Sequence, residues 1–121
     1  MNKNKKLINS FKYAITGIIT SIKKERNMKI HLSIMIIVII FGIVLKISRV
    51  EWLICLILFG MVLSGELFNT AIETAVDISS PNISELAKKA KDISAGAVLI
   101  SAIASAICGL IIFLPKIINL I

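Results

Sequence analysis

The chain has 121 residues, of which 57% are hydrophobic and 17% charged, and its net charge is +7. This composition is too apolar for a soluble domain of this size, and the apolar residues form long runs, so the sequence predicts one integral membrane domain. Eight of the 14 Lys and Arg residues precede Ile30. In a membrane protein this bias indicates an anionic membrane surface or phosphate groups as partners, rather than nucleic acid.

The first predicted element is an amphipathic helix over residues 5–27. Aliphatic and aromatic residues recur at helical spacing on one side, and lysines and other polar residues fall on the other. The apolar side comprises Leu7, Ile8, Phe11, Ile15, Ile18, Ile19 and Ile22. A basic helix with an aliphatic face is expected to lie in the membrane interface.

Two membrane spans follow, at residues 30–47 and 52–77. The first consists almost entirely of Ile, Val, Leu, Met and Phe. His31 and Lys46 are expected at its two interfaces, because amphipathic side chains reach from the membrane toward water. Trp52 is expected to mark the boundary of the second span, where Trp is common.

A polar connection leads to a third span at residues 93–114. Ser79, Ser80 and Pro81 should end the second helix, and a short helix is expected from Ile83 to Lys91. The third span contains no charge, and its small residues recur every four positions, which allows another helix to approach closely. These small residues are Ala97, Ser101, Ser105 and Gly109.

The basic residues predict the topology. With the N-terminus in the cytoplasm, eleven Lys and Arg residues lie inside and three lie outside, as the positive-inside rule favours. We therefore expect several spans in a plasma membrane, with both the N-terminus and the polar end of the second span on the cytoplasmic side.

Polar residues in the second span form a stripe. With Glu66 at zero on a helical wheel, Asn69 falls at about −60°, Glu73 at about −20° and Asp77 at about +20°. Glu66 lies about 21 Å along the helix from Trp52, still within the hydrocarbon. An acid at the bilayer centre costs roughly 2.5–3.5 kcal/mol, so such residues usually line a site or a pathway.

This stripe suits phosphoryl transfer to a lipid. Magnesium is commonly held by one or two carboxylates together with substrate phosphates, and phosphoryl transfer mainly needs positioning and charge neutralisation. A buried carboxylate such as Glu66 suits general-base catalysis on a hydroxyl group at membrane depth. The sequence contains no Walker loop, kinase catalytic loop or Rossmann fingerprint, which excludes the known soluble nucleotide-binding folds.

Two motifs carry a family resemblance. The segment from Glu66 to Glu73 reads ELFNTAIE and is followed by Asp77, and the segment from Ala90 to Val98 reads AKDISAGAV. Together they resemble the signature of the prokaryotic diacylglycerol kinase family, which includes the undecaprenol kinases of Gram-positive bacteria. The similarity extends to FKYA at residues 11–14, to ERN at residues 25–27 and to Glu51-Trp52.

The resemblance implies an all-α homotrimer of protomers with one surface helix and three transmembrane helices, and active sites shared between protomers. It implies that the γ-phosphate of ATP passes to a lipid hydroxyl, with Mg²⁺ as the cofactor. Glu66 would be the general base beside the lipid substrate, and Glu25 and Glu73 would hold the metal. The implied nucleotide-binding residues are Lys6, Tyr13, Glu25, Asn69, Glu73, Asn82, Ser84, Lys91 and Asp92.

The sequence departs from the family pattern at two places. Family members often carry Glu and His in the loop where this sequence has Asn82 and Ser84, and some have Arg where it has Lys6. The run SAGAV at residues 94–98 is closer to the undecaprenol kinases, so undecaprenol is the expected acceptor, with diacylglycerol as the alternative. Two other hypotheses are an ion-handling proteolipid with Glu66 as its carrier and a non-enzymatic assembly subunit. For Asp77 a role in orienting its neighbours and a merely solvated position are both open.

Overall fold

The computed structural model describes residues 2–82 and 84–121, and within these ranges the chain forms four helices and no strand. They are α1 (Lys3–Lys24), α2 (Arg26–Val44), α3 (Arg49–Ser79) and α4 (Glu85–Ile118). The last three are long and apolar enough to cross a membrane. The predicted all-α architecture, a basic amphipathic helix followed by three spans, is confirmed; the predicted trimer remains a prediction.

The surface helix ends earlier than predicted, because Glu25 leaves helical geometry. Its φ and ψ angles of −96° and 119° are extended, and its N–H donates to the Ser21 carbonyl at 2.8 Å. Arg26 and Asn27, expected at the end of the surface helix, therefore begin α2. Glu25 is the N-cap of α2, yet its side chain makes no capping hydrogen bond. Its carboxylate thus stands at a bend between two helices without capping either one.

The connection between α2 and α3 is a tight Schellman-type turn. The N–H of Ile47 donates to the Gly42 carbonyl and that of Lys46 to the Ile43 carbonyl, while Lys46 adopts a left-handed φ of 53°, as this motif requires. The first span therefore ends at Val44 rather than Ile47. Ser48 and Glu51 then cap α3 reciprocally at 2.9 and 3.2 Å.

The predicted short helix does not exist as a separate element over the described part of the chain. Its first residue, Ile83, lies outside the described residues, and residues 85–91 are the first turns of a continuous α4. Ser84 caps α4 by accepting a hydrogen bond from the Ala87 N–H at 3.4 Å. Nothing interrupts the helix between the polar segment and the span, because no Gly or Pro falls between Glu85 and Gly96.

Helices α3 and α4 form an antiparallel pair that is the best packed part of the structure. Lys116 Nζ lies 3.1 Å from both carboxylate oxygens of Glu51 and ties one end of the pair. At the other end, Lys91 forms an ion pair with Asp77. At 1.5 Å per residue α3 and α4 are about 46 and 51 Å long, well beyond the roughly 30 Å hydrocarbon core. Both helices are therefore longer than a span requires and extend beyond the hydrocarbon at one end or both.

The small buried core lies near the Glu51 end. It comprises Ile47, Cys55 and Ile112, with partly buried aromatic residues packed against it. Gly42 is required there, because a Cβ at this position would lie 2.6 Å from the Trp52 ring. Trp52, expected to mark the membrane boundary, is half-buried in this contact. Most other apolar side chains of the spans face outward, toward lipid or another protein surface.

Candidate functional site

The polar stripe of α3 runs from the protein interior to its surface. Glu66 is 1% exposed and Asn69 is 7% exposed, whereas Glu73 is half-buried and Asp77 is exposed. The helical spacing predicted from the sequence therefore gives a graded row of oxygen-bearing side chains. Its inner end suits proton transfer at membrane depth, and its outer end suits hydrated, charged ligands.

Asn69 is held by a hydrogen-bond chain that links α4 to α3. The Ser94 hydroxyl donates to Asn69 Oδ1 at 2.6 Å, and Asn69 Nδ2 donates to Glu73 Oε1 at 3.3 Å. Because Ser94 occupies the carbonyl oxygen, the amide group of Asn69 must face Glu73. These two hydrogen bonds fix one oxygen of Glu73 and leave the other available to a ligand.

The Glu66 carboxylate lies against His31 of α2. His31 Nε2 is 3.5 Å from Glu66 Oε2, and the two side chains are only 17% and 2% exposed. Glu66 Oε2 accepts no hydrogen bond from the residues that the structure describes, because the His31 contact is outside hydrogen-bonding geometry. His31 therefore points toward α3, and its predicted location at the membrane interface stays a prediction.

An apolar groove of about 300 Å³ begins at His31 and runs between the three spanning helices. Its walls are aliphatic and aromatic side chains of α2 and α3 together with small residues of α4, including Ser105 and Gly109. The Ser105 hydroxyl donates to the Ser101 carbonyl of its own helix at 2.8 Å. The groove therefore offers hydrocarbon-like surface to a ligand whose polar end lies at His31, next to Glu66.

The small residues of α4 were predicted to allow helix packing, and they divide between two roles. Ser101 approaches α3 closely, since a Cβ on Gly65 would lie 3.9 Å from its hydroxyl oxygen. A Cβ on Gly109 would instead meet nothing within 4 Å, and this residue lines the groove.

A second cavity, of about 670 Å³, lies between α1 and α3. Tyr13 and Glu25 line it from α1 and its C-terminal bend, facing Thr70 and Thr74 of α3. Ser21 Oγ and Thr70 Oγ1 are buried in its walls without hydrogen-bond partners among the described residues. Unpaired buried hydroxyls are costly, so this cavity is suited to a polar ligand or to water.

Two of the three lysines at the start of α4 are paired with acids. Lys91 forms an ion pair with Asp77 of α3, and this interaction raises the pKa of Lys91. Lys88 Nζ lies 2.7 Å from Asp92 Oδ2, which raises the pKa of Lys88. Both lysines are therefore cationic at neutral pH. The contact with Lys91 supports the orienting role for Asp77, whereas Asp92 faces solvent beside Lys88.

Three predicted nucleotide-binding residues, Lys6, Asn82 and Ser84, take no part in these ion pairs. Lys6 is exposed on the first turns of α1. Asn82 is exposed, and its carbonyl accepts a hydrogen bond from Ser80 Oγ at 3.4 Å. The Ser84 hydroxyl is engaged in capping α4. In this structure these side chains have local roles, and their part in nucleotide binding stays a prediction.

The donor set fits magnesium chemically. No group of three or more His, Cys, Asp or Glu side chains converges among residues 2–82 and 84–121. Mg²⁺ is usually bound by one or two carboxylates plus substrate phosphates, rather than by an all-protein cage. Two carboxylates match that mode. Glu73 has a second oxygen that Asn69 does not occupy, and Glu25 makes no capping hydrogen bond.

Sequence reasoning missed His31, Ser94 and the two unpaired hydroxyls as parts of the site. Ser94 follows Lys91 by three residues and therefore shares its face of α4, which was a usable signal. His31 gave none, because a lone histidine at the start of an apolar run is also typical of an interfacial position.

Comparison with known proteins gives a consistent result. The family described as Prokaryotic diacylglycerol kinase matches residues 12–113. An undecaprenol kinase of Bacillus subtilis (strain 168) is 43% identical over 115 residues, which cover 95% of this chain and 94% of that protein. A diacylglycerol kinase of Synechocystis sp. (strain ATCC 27184 / PCC 6803 / Kazusa) is 36% identical over 115 residues, covering 94% of this chain and 66% of that protein.

Proposed function

The chain belongs to the prokaryotic diacylglycerol kinase family and is a lipid kinase, and we propose that it transfers the γ-phosphate of ATP to the hydroxyl group of undecaprenol. The observation that carries this proposal is the position of Glu66, a buried carboxylate at the inner end of the polar stripe that lies 3.5 Å from His31, which lines the apolar groove. The family assignment argues against the proteolipid and assembly-subunit hypotheses, neither of which uses a nucleotide.

The choice of undecaprenol rests on similarity. The Bacillus subtilis relative matches along nearly the full length of both chains, and its name specifies undecaprenol. Diacylglycerol is the second candidate, favoured by the name of the Synechocystis relative. The groove suits the hydrocarbon part of either lipid, since its lining is almost wholly apolar.

Glu66 would act as the general base. The acceptor hydroxyl binds beside it, and its proton moves to a carboxylate oxygen of Glu66 as the hydroxyl oxygen attacks the γ-phosphorus. The bond between that phosphorus and the bridging oxygen of ADP breaks, so that ADP leaves and the lipid phosphate forms. Burial of Glu66 excludes bulk water, which limits hydrolysis of ATP as a competing reaction.

Glu25 and Glu73 would hold Mg²⁺, and when bound the ion would neutralise charge on the phosphates. Asn69 keeps one oxygen of Glu73 occupied, which fixes the orientation of that carboxylate. The cavity between α1 and α3 would receive the nucleotide, with Tyr13 on its wall. Lys91 would contribute positive charge toward the phosphates, held by Asp77. Lys6, Asn82, Ser84 and Asp92 are retained as further nucleotide-binding residues.

We further propose a homotrimer with the active site on the cytoplasmic face of the plasma membrane. The outward-facing apolar surface of the spans supports association, and the excess of basic residues at one end supports the orientation. Chemical cross-linking in native membranes tests the first of these. Labelling of single cysteines placed in the connections between helices tests the second.

The function is tested by supplying the purified protein with ATP, Mg²⁺ and one lipid at a time. Labelled phosphate should appear on undecaprenol faster than on diacylglycerol. The reverse order would overturn the proposed acceptor. Glu66→Gln should lower turnover by about 10²–10⁴-fold while nucleotide binding is kept, and near-normal turnover in this variant would contradict the general-base assignment.

A further inference from the structure

The imidazole of His31 has an unusual position for a residue in a lipid-facing helix. It is mostly buried, it lines the end of the apolar groove, and its Nε2 faces Glu66 Oε2 at 3.5 Å. α2 carries no other His and no Asp or Glu between Arg26 and Val44. The polar contact between α2 and the inner end of the polar stripe is therefore made by this ring.

The environment of Glu66 calls for a donor. A buried carboxylate without hydrogen bonds is strongly destabilised relative to a hydrated one, and Oε2 of Glu66 has no hydrogen bond from the described residues. The 3.5 Å separation exceeds the 2.7–3.2 Å typical of N–H···O bonds. Catalytic hydrogen bonds are often long before substrate binds and shorten in the complex. A movement of a few tenths of an ångström would close this one.

The packing permits that movement. α2 contacts α3 much less extensively than α4 does, so the helix that carries His31 is the less constrained partner. A lipid chain entering the groove would press on the walls formed by α2 and α3, next to the ring. Acceptor binding and shortening of the contact between His31 and Glu66 are therefore coupled, because the same groove wall takes part in both.

We propose that His31 is a positioning residue for the acceptor side of the reaction: when the lipid is bound, its Nε2–H donates to Glu66 Oε2 and holds the carboxylate so that Oε1 meets the lipid hydroxyl. The proposal rests on Glu66 acting as the general base. It concerns the orientation of Glu66 only, so nucleotide binding at Glu25 and Glu73 is independent of it.

The experiment compares His31→Leu, which keeps much of the volume and removes the donor, with His31→Gln, which retains a side-chain N–H donor. Gly42→Ala serves as the control, because it disturbs the packing of α2 on α3 at Trp52, three turns away from His31. Full-length variants are assayed with ATP, Mg²⁺ and undecaprenol, and the thermal midpoint of each is measured. The Michaelis constants for ATP and lipid are determined separately from kcat.

His31→Leu should lower kcat about 10- to 100-fold, the range expected for a lost hydrogen bond to a charged group. Its Michaelis constant for ATP should stay within about twofold, since the nucleotide contacts are untouched. His31→Gln should recover most of the lost kcat. Gly42→Ala should lower the thermal midpoint and leave kcat near the wild-type value.

Combining His31→Leu with Glu66→Gln should add no further loss, since the histidine acts through the glutamate. Equal kcat losses in His31→Leu and Gly42→Ala, or equal losses in the Leu and Gln variants, would overturn the proposal in favour of simple packing. Additive losses in the double variant would also overturn it. Failure of the wild-type protein to phosphorylate any lipid would instead refute the proposed function.

Discussion

Replacement of Ser94 by Ala tests whether the link between α4 and α3 organises the polar stripe. The substitution removes one hydroxyl that donates to Asn69 Oδ1 at 2.6 Å in a buried setting. The amide of Asn69 is then free to rotate, and Glu73 loses the donor that now fixes one of its oxygens. The effect should reach the nucleotide end of the site, although Ser94 itself bonds to neither proposed metal ligand.

The magnitude follows from the burial of both partners. A net hydrogen bond contributes about 0.5–1.5 kcal/mol, and an orphaned buried acceptor costs about 1–3 kcal/mol. Polar contacts between membrane helices average about 0.6 kcal/mol, with a maximum of about 1.7 kcal/mol. We therefore expect about 1–2 kcal/mol, which corresponds to roughly a 5- to 30-fold loss in kcat/KM for ATP.

The assay is steady-state phosphorylation of undecaprenol with ATP varied at fixed Mg²⁺, together with thermal unfolding in detergent. Ser101→Ala is the matched control on the same helix, because its hydroxyl donates only to the Ala97 carbonyl within α4, at 3.2 Å. This control should stay within about twofold of the wild type. If Ser94→Ala and Ser101→Ala had the same kcat/KM for ATP, the hydrogen-bond chain would have no role in organising Glu73.

The remaining predictions concern the outer end of the stripe and the packing of α2. Glu73→Gln should weaken Mg²⁺-dependent nucleotide binding about 10- to 100-fold, measured by titration with and without Mg²⁺; unchanged affinity would exclude Glu73 as a metal ligand. Asp77 raises the pKa of Lys91, so Asp77→Asn should lower that pKa and move the alkaline loss of activity to lower pH. At neutral pH, where Lys91 stays protonated, the same variant should raise the Michaelis constant for ATP by no more than about fivefold. A pH profile identical to that of the wild type would show that the ion pair has no effect on activity. Gly42→Ala should destabilise the fold by about 1–3 kcal/mol through overpacking. Gly60→Ala, where a Cβ meets nothing within 4 Å, should leave the thermal midpoint nearly unchanged. Equal thermal midpoints in the two variants would show that the close contact between Gly42 and Trp52 is absent from the native packing.

The order of elements could be read from the sequence because hydropathy acts locally. Long apolar runs must form helices in lipid, since every backbone polar group has to be satisfied within the segment. Helical spacing likewise placed Glu66, Asn69 and Glu73 on one face, because a period of 3.6 residues is a property of the chain alone. The two motifs supplied the family, and the comparisons support it over nearly the whole length.

Helix boundaries were harder to predict where a single residue decides them. Glu25 breaks the first helix by adopting an extended conformation, although glutamate is a good helix former. Lys46 ends α2 in a left-handed conformation that usually selects glycine. The short helix expected after Pro81 continues into α4 instead, since capping by Ser84 starts a helix that no residue then interrupts.

Composition, periodicity and motif are properties of consecutive residues, so they were enough to identify a membrane lipid kinase with a carboxylate stripe on its second span. The partner of each polar group, in contrast, depends on how the helices pack. The tertiary structure paired Ser94 with Asn69 and His31 with Glu66, and it paired Lys91 with Asp77. Such contacts depend on the distance and rotation between helices, which are set by packing at positions such as Gly42 and Gly65.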